Sequence, residues 1–152
     1  MFADSTRKPT TPADAKGMLT AAIRDDNPVI SFEHRWLYWA EDEVPEEPFA
    51  TPLGQSHVLR PGSDVTVVGT SWMNVEALRA ADLLAEQGIS VEVVDPRTLA
   101  PFDGAPIFES AAKTGHCIVA DYDWLNSGFS AEVAALVSEE CFGSLKSPVT
   151  RI

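Results

Sequence analysis

Few residues in this chain have both the type and the spacing to do chemistry. His34, His57 and His116 lie on different elements, and no H-x-x-x-H, C-x-x-C or carboxylate–His pair joins them, so zinc coordination has no support. "GTSWMNVEAL" (69–78) links a strand to a helix through a glycine turn that could hold an anion on backbone N–H groups. It lacks G-x-G-x-x-G, a Walker lysine and the G-x-S-x-G elbow, and an ordinary tight turn accounts for it better. "DYDWLNSGFSAE" (121–132) follows a strand, where α/β proteins bind ligands, so Asp121, Asp123 and Trp124 could face a crevice. The simpler reading packs the Trp124 ring at an interface and lets Ser127 or Ser130 cap the next helix. "HRWLYW" brings Trp36, Tyr38 and Trp39 within four residues, as interface anchors do. "AIRDDNPVISFEH" (22–34) crowds acids and an arginine around Pro28, between two apolar stretches.

These residues need elements to position them. The 152 residues suffice for one ordinary domain, or a small one with an attached piece. At 45% apolar and 22% charged the composition is that of a soluble globular protein. The net charge of -12 is uneven: residues 1–60 hold 6 Lys/Arg against 10 Asp/Glu, and residues 61–152 hold 5 against 13. Such a surface repels nucleic acid and anionic membranes and would suit a basic protein partner, although plain solubility explains it better. No apolar run approaches the ~20 residues of a membrane span, and "MFADSTRKPTT" is not a secretory signal. Cys117 and Cys141 make no disulfide framework and are expected as buried thiols in a cytoplasmic protein.

Residues 1–11 carry no periodicity and are expected as a loose tail. Thr11 can cap a helix whose first residue is Pro12 and whose third, Asp14, meets the positive end of the dipole. Ala15, Met18, Leu19, Ala22 and Ile23 recur on one face, Pro28 forbids continuation, and "VISFEH" follows as a strand. Residues 41–63 are rich in proline and acids and are expected as an extended linker. From 64 to 152 strands alternate with helices. "DVTVVG", "SVEVVD", "HCIVAD" and "PVTRI" are the strands; helices are expected over 73–87 (Val75, Leu78, Ala81, Leu84 and Ala85 inward), from Asp103 to near Gly115, and over 129–142 (Val133, Leu136, Val137 and Cys141 inward). The pattern predicts an α/β fold, a three-layer αβα unit around a mainly parallel sheet, with residues 12–40 as a helix–strand remnant of a second domain.

"DAKGMLTAAIRDDNPVISFEHRWLY", "EVPEE", "PLGQSHVLRPGSDVTVV", "EVVDPRTLAPFD" and "GFSAEVAA" together resemble the beta subunit of thiamine-diphosphate-dependent 2-oxoacid (pyruvate and branched-chain) dehydrogenases, in the transketolase-like superfamily. The likeness runs in order from about Pro12 to Ile152. It implies that residues 12–40 end a pyrimidine-binding domain and that 64–152 form most of the transketolase C-terminal domain. The family's activating glutamate and active-site histidine lie upstream of the matched segment, and its diphosphate and magnesium are held mostly by an alpha subunit. The resemblance therefore implies a truncated form with no catalytic or cofactor-binding residue of its own and no activity alone. It also implies a possible potassium site on oxygens of Ala22, Ile23, Asp25 and Asn27, at a helix end where unpaired carbonyls favour a cation.

The leading expectation is an assembly module that self-associates through Trp36, Tyr38, Trp39 and Trp124, or joins a complementary subunit or an acyltransferase core. The alternatives are one half of a split enzyme, active only with a partner chain, and a repurposed small-molecule binding module near Trp124.

Overall fold

The computed structural model describes residues 5–152. A five-stranded sheet lies at its centre, in the order β3 (His57–Arg60), β5 (Val91–Asp95), β4 (Val65–Gly69), β7 (Cys117–Ala120) and β8 (Thr150–Arg151). β5, β4, β7 and β8 are parallel, and only β3 runs against its neighbour β5. The β-branched runs "VTVVG" and "VEVVD" suit strands covered on both faces, and β5 is buried at all five positions. Helix α2 (Trp72–Ala85) packs one face, placing Ala77 and Ala81 on Val91 and Val93. Helices α3 (Ala105–Thr114) and α4 (Phe129–Glu140) cover the other, where Ile107, Val133 and Val137 meet Val68 and Val119. Each such side chain contributes about 1.5–3 kcal/mol of burial. The three-layer αβα reading of the sequence is correct.

The α2 face is incompletely covered. Beyond α2 an apolar groove of about 340 Å³ runs over β7 and the chain's last residue, lined by Met73, Ala77, Leu84, Ile118, Ala120 and Ile152.

The first forty residues depart most from expectation. Residues 5–10 are not a loose tail: Ser5–Arg7 form strand β1, and Lys8, Pro9 and Thr10 are buried. Residues 1–4 of that expected tail lie outside the described residues. Helix α1 (Pro12–Arg24) starts as the sequence dictates, with the Thr11 hydroxyl accepting the Asp14 N–H at 3.0 Å. β2 is shorter than "VISFEH", only Val29–Ser31, because Arg35–Trp39 turn as a 3-10 helix capped by His34. β1 lies between β2, to which it is parallel, and the antiparallel β6 (Thr98–Ala100). The second sheet thus takes strands from both parts of the chain, and residues 12–40 are docked on the αβα unit. Asp14 of α1 pairs with Arg97 of that unit, and Gly17 packs closely on the linker: a Cβ there would overlap Thr51, whose N–H donates to the Gly17 carbonyl at 3.0 Å. The expected linker is also partly structured, since its residues 57–60 form edge strand β3.

Candidate functional site

The crevice at the carboxyl ends of β4, β5 and β7 is where a doubly wound sheet binds its ligand. Here the chain's own segment Lys8–Thr10 fills it. The Lys8 N–H donates to the Arg97 carbonyl at 2.8 Å, and the Ser71 hydroxyl donates to the Pro9 carbonyl at 3.2 Å. The Thr10 hydroxyl donates to Asp95 Oδ2 at 2.6 Å while accepting from Asn74 Nδ2 at 2.9 Å. Lys8 Nζ stands 3.6 Å from Asp121 Oδ1, which also accepts from the Thr70 hydroxyl at 2.9 Å. At the rim, Arg97 pairs with Asp14 of α1 at 2.8 Å.

Local backbone places these groups. Ser71, between β4 and α2, has φ 52 and ψ -120, a conformation L residues seldom adopt. It presents the Ser71 hydroxyl to Pro9 and lets Asn74 enter behind Gly69, where a Cβ would strike the Asn74 amide. Arg97, at φ 58, turns the chain so that its own N–H donates to Asp95 Oδ1 at 2.8 Å.

Electrostatics follow burial. Asp95 is wholly buried, and desolvation pushes its carboxyl up to about 6; the Thr10 and Arg97 N–H hydrogen bonds oppose the rise, and the Asp14 charge adds to it. Cys117 and Cys141 are free and buried, as expected, and burial drives the Cys117 thiol up to about 12, a poor nucleophile. Tyr122 is raised, first by burial, against a hydrogen bond to Ser71.

Four rings form a wall outside the crevice. His34 stacks on Trp72 (centroids 5.9 Å apart, planes at 17°), Trp36 meets Trp72 edge-on at 5.2 Å, and Tyr122 meets His34 at 5.0 Å. Lys8 Nζ lies 4.9 Å from the Tyr122 ring centre. Trp36, Tyr38, Trp39 and Trp124 remain 61%, 66%, 85% and 83% exposed. Asp123 is exposed, whereas Asp121 is buried beneath Lys8, so the two do not face one opening. Neither Ser127 nor Ser130 caps α4: Gly128 is its N-cap, and Ser130 is buried. Ala85, expected inward on α2, is exposed, while Asn74 is wholly buried.

At the turn after α1, Asp25 Oδ1 accepts both the N–H (2.8 Å) and the side-chain amide (3.2 Å) of Asn27, and the Ala22 carbonyl accepts the Asp25 N–H at 3.4 Å. Ile23, Asp25 and Asn27 are exposed. These oxygens spend part of their capacity on each other. Among the described residues no group of three or more His, Cys, Asp or Glu is placed to hold a metal ion. Among the described residues no helix is long and apolar enough to cross a membrane.

Comparison with known proteins agrees with this architecture. Residues 54–152 match the transketolase C-terminal domain, and the chain belongs to that family. Over 144 residues it is 42% identical to the acetoin:2,6-dichlorophenolindophenol oxidoreductase subunit beta of Cupriavidus necator, covering 95% of this chain and 43% of that one. Over 145 residues it is 42% identical to the 2-oxoisovalerate dehydrogenase subunit beta of Bacillus subtilis, covering 95% and 44%. The chain is thus a relative of 2-oxoacid dehydrogenase beta subunits and spans less than half the length of these curated relatives. A solved structure described as a split gene transketolase, inactive beta4 tetramer, superposes with a TM-score of 0.75 at 28% identity, over 97% of this chain and 47% of that one.

Proposed function

We propose that this chain is an assembly module of a 2-oxoacid dehydrogenase-type enzyme, engaging copies of itself or a complementary subunit and without catalysis when alone. The observation that carries the reading is a set of exposed aromatic side chains. Trp36, Tyr38, Trp39 and Trp124 are far more accessible than such side chains usually are, and interfaces are rich in these rings. The open groove beside α2 is a second apolar surface of the same kind. Sedimentation equilibrium tests it: concentration-dependent association that weakens in Trp39→Ser is the expected result, and a monomer at high concentration overturns it.

A second reading rests on coverage. The chain matches under half of each relative, and the structural neighbour is itself described as a split gene product. One part of a thiamine-diphosphate-dependent enzyme, completed by a separate polypeptide, would look like this. Mixing the chain with such a polypeptide and assaying 2-oxoacid decarboxylation separates the readings. The described residues do not fit thiamine diphosphate within this chain, because Lys8–Thr10 occupy the crevice and hydrogen-bond to Asp95, Ser71 and Asn74 at its floor. The same filling argues against a repurposed small-molecule site there, although a hollow of about 420 Å³ lined by Lys8, Phe32, His34, Leu99, Tyr122 and Asp123 lies at its mouth. An acyltransferase core is a further candidate partner, favoured by the acidic surface. A potassium ion at Ala22, Ile23, Asp25 and Asn27 would need ligands from outside the chain. A thermal shift in potassium but not sodium chloride would support it.

A further inference from the structure

The contact that fills the crevice can be satisfied in two protonation states. Thr10 Oγ1 stands 2.6 Å from Asp95 Oδ2 and 3.5 Å from the Ser71 carbonyl, and it accepts from Asn74 in either case. With Asp95 ionised, Thr10 gives its proton to the carboxylate. With Asp95 protonated, the carboxyl donates to Thr10 and the Thr10 proton turns to the Ser71 carbonyl. Asp95 Oδ1 accepts the Arg97 N–H throughout. A hydroxyl, with one donor and two acceptor positions, serves both arrangements. The second leaves no bare charge in a wholly buried position.

We propose that this seam is a proton-operated clasp: one proton taken up at Asp95 reverses the Thr10 hydrogen bond and tightens the hold of the αβα unit on residues 8–10.

Asp95 is the group placed to do this. From α1 it faces the Asp14 carboxylate, which disfavours its ionised form, and from the following turn the Arg97 guanidinium, which favours it. From β3, His57 is its register partner; burial and then Arg97 lower the His57 pKa, while Asp14 raises it. From α2 it faces the neutral Asn74 through Thr10. Lys8 and Asp121 pair with each other at the β7 end of the crevice.

The sign is fixed by linkage. The carboxyl titrates near 6 in the closed seam, above its ordinary value. Its contribution is therefore complete below the ordinary carboxylate range and is lost as pH rises through about 6. If opening returns Asp95 to water, the opening equilibrium grows about tenfold between pH 5 and 7.5.

Amide hydrogen exchange on the whole chain tests this. The Lys8 N–H, bonded to the Arg97 carbonyl, is the reporter, with intrinsic exchange divided out at each pH. The expected result is an opening constant about tenfold smaller at pH 5 than at 7.5, flat in Asp95→Asn, and unchanged in slope in His57→Gln. A wild-type constant that is flat, or that grows on acidification, overturns the clasp. Should Asp95→Asn not fold, the carboxyl carbon of Asp95 followed by NMR in the wild type decides: titration near 6 supports the clasp, and an ordinary carboxylate midpoint overturns it.

Discussion

Glu92 and Asp95 are two buried acids three residues apart on β5, and the protein treats them in opposite ways. Glu92 points to the α3 face, where Lys113 pairs with it and the Gly62 N–H donates to it at 2.9 Å. Burial alone would raise its pKa, but hydrogen bonds from Lys113, Ser110 and the Gly62 N–H outweigh that and leave it lowered. Asp95, across the sheet, meets a threonine hydroxyl and one backbone N–H in place of a bonded cation, and is raised. One strand therefore carries two pH dependences of opposite sign. Glu92 stabilises when ionised, and that contribution is lost as pH falls through its lowered pKa; the Asp95 contribution is lost as pH rises. The difference teaches that burial sets only the cost of a charge. The partner decides which form is held.

The largest expected effect comes from damaging what both acids share. Ile107→Ala opens a cavity against Val68 and Val119 and should cost about 2–5 kcal/mol. Because β5 and β6 belong to the same unit, circular dichroism and protection of residues 5–10 should then be lost together. Separate transitions would break the picture of one unit bearing both sites.

Asn74→Ala acts on the Asp95 side alone. It removes a donor to Thr10 and should cost about 1–3 kcal/mol. The loss should appear in exchange at residues 6–11, with far less change in the helical signal of α3 and α4. An equal loss everywhere would mean that seam and sheet do not differ in cooperativity.

Lys113→Gln sharpens the Glu92 side. The wild type should lose stability on acidification through Glu92, and the variant should show a shallower loss below neutral pH in urea titrations. Lys113 is half exposed, so the effect is modest and screened by salt. Trp39→Ser touches neither acid and should change stability by no more than about 0.5 kcal/mol. Its effect belongs in the sedimentation profile.

Much of the αβα unit, and the start of α1, is legible from sequence because the signals are local. The β-branched strands, the Thr11–Pro12–Asp14 cap and the spacing of Val133 and Val137 each depend on neighbours within a turn or two. Residues 5–10 have no such signal. Their partners, Arg97, Asp95 and Asn74, lie more than sixty positions away, and Lys8 and Thr10 look like surface residues until those partners are known. β6 spans three residues before a proline, too short for a period to show. β3 hides in a proline-rich stretch because edge strands tolerate that composition. Trp36, Tyr38 and Trp39 are prominent in sequence, but Trp72 and Tyr122, which join His34 and Trp36 in the wall, are visible only in space. Ser71 carried one hint, a strand-to-helix turn beside Gly69. Its positive φ could not be read from residue type.

The sheet formed by β2, β1 and β6 also constrains the order of synthesis and folding. Thr6 pairs with Ala100, so some ninety residues must leave the ribosome before β1 can find its antiparallel neighbour. Contacts of such long range form slowly, since a large loop must close first. Residues 5–7 are made well before they can be placed. Until then Arg7 and Lys8 stand in solvent, and the crevice at the end of the parallel sheet stays open.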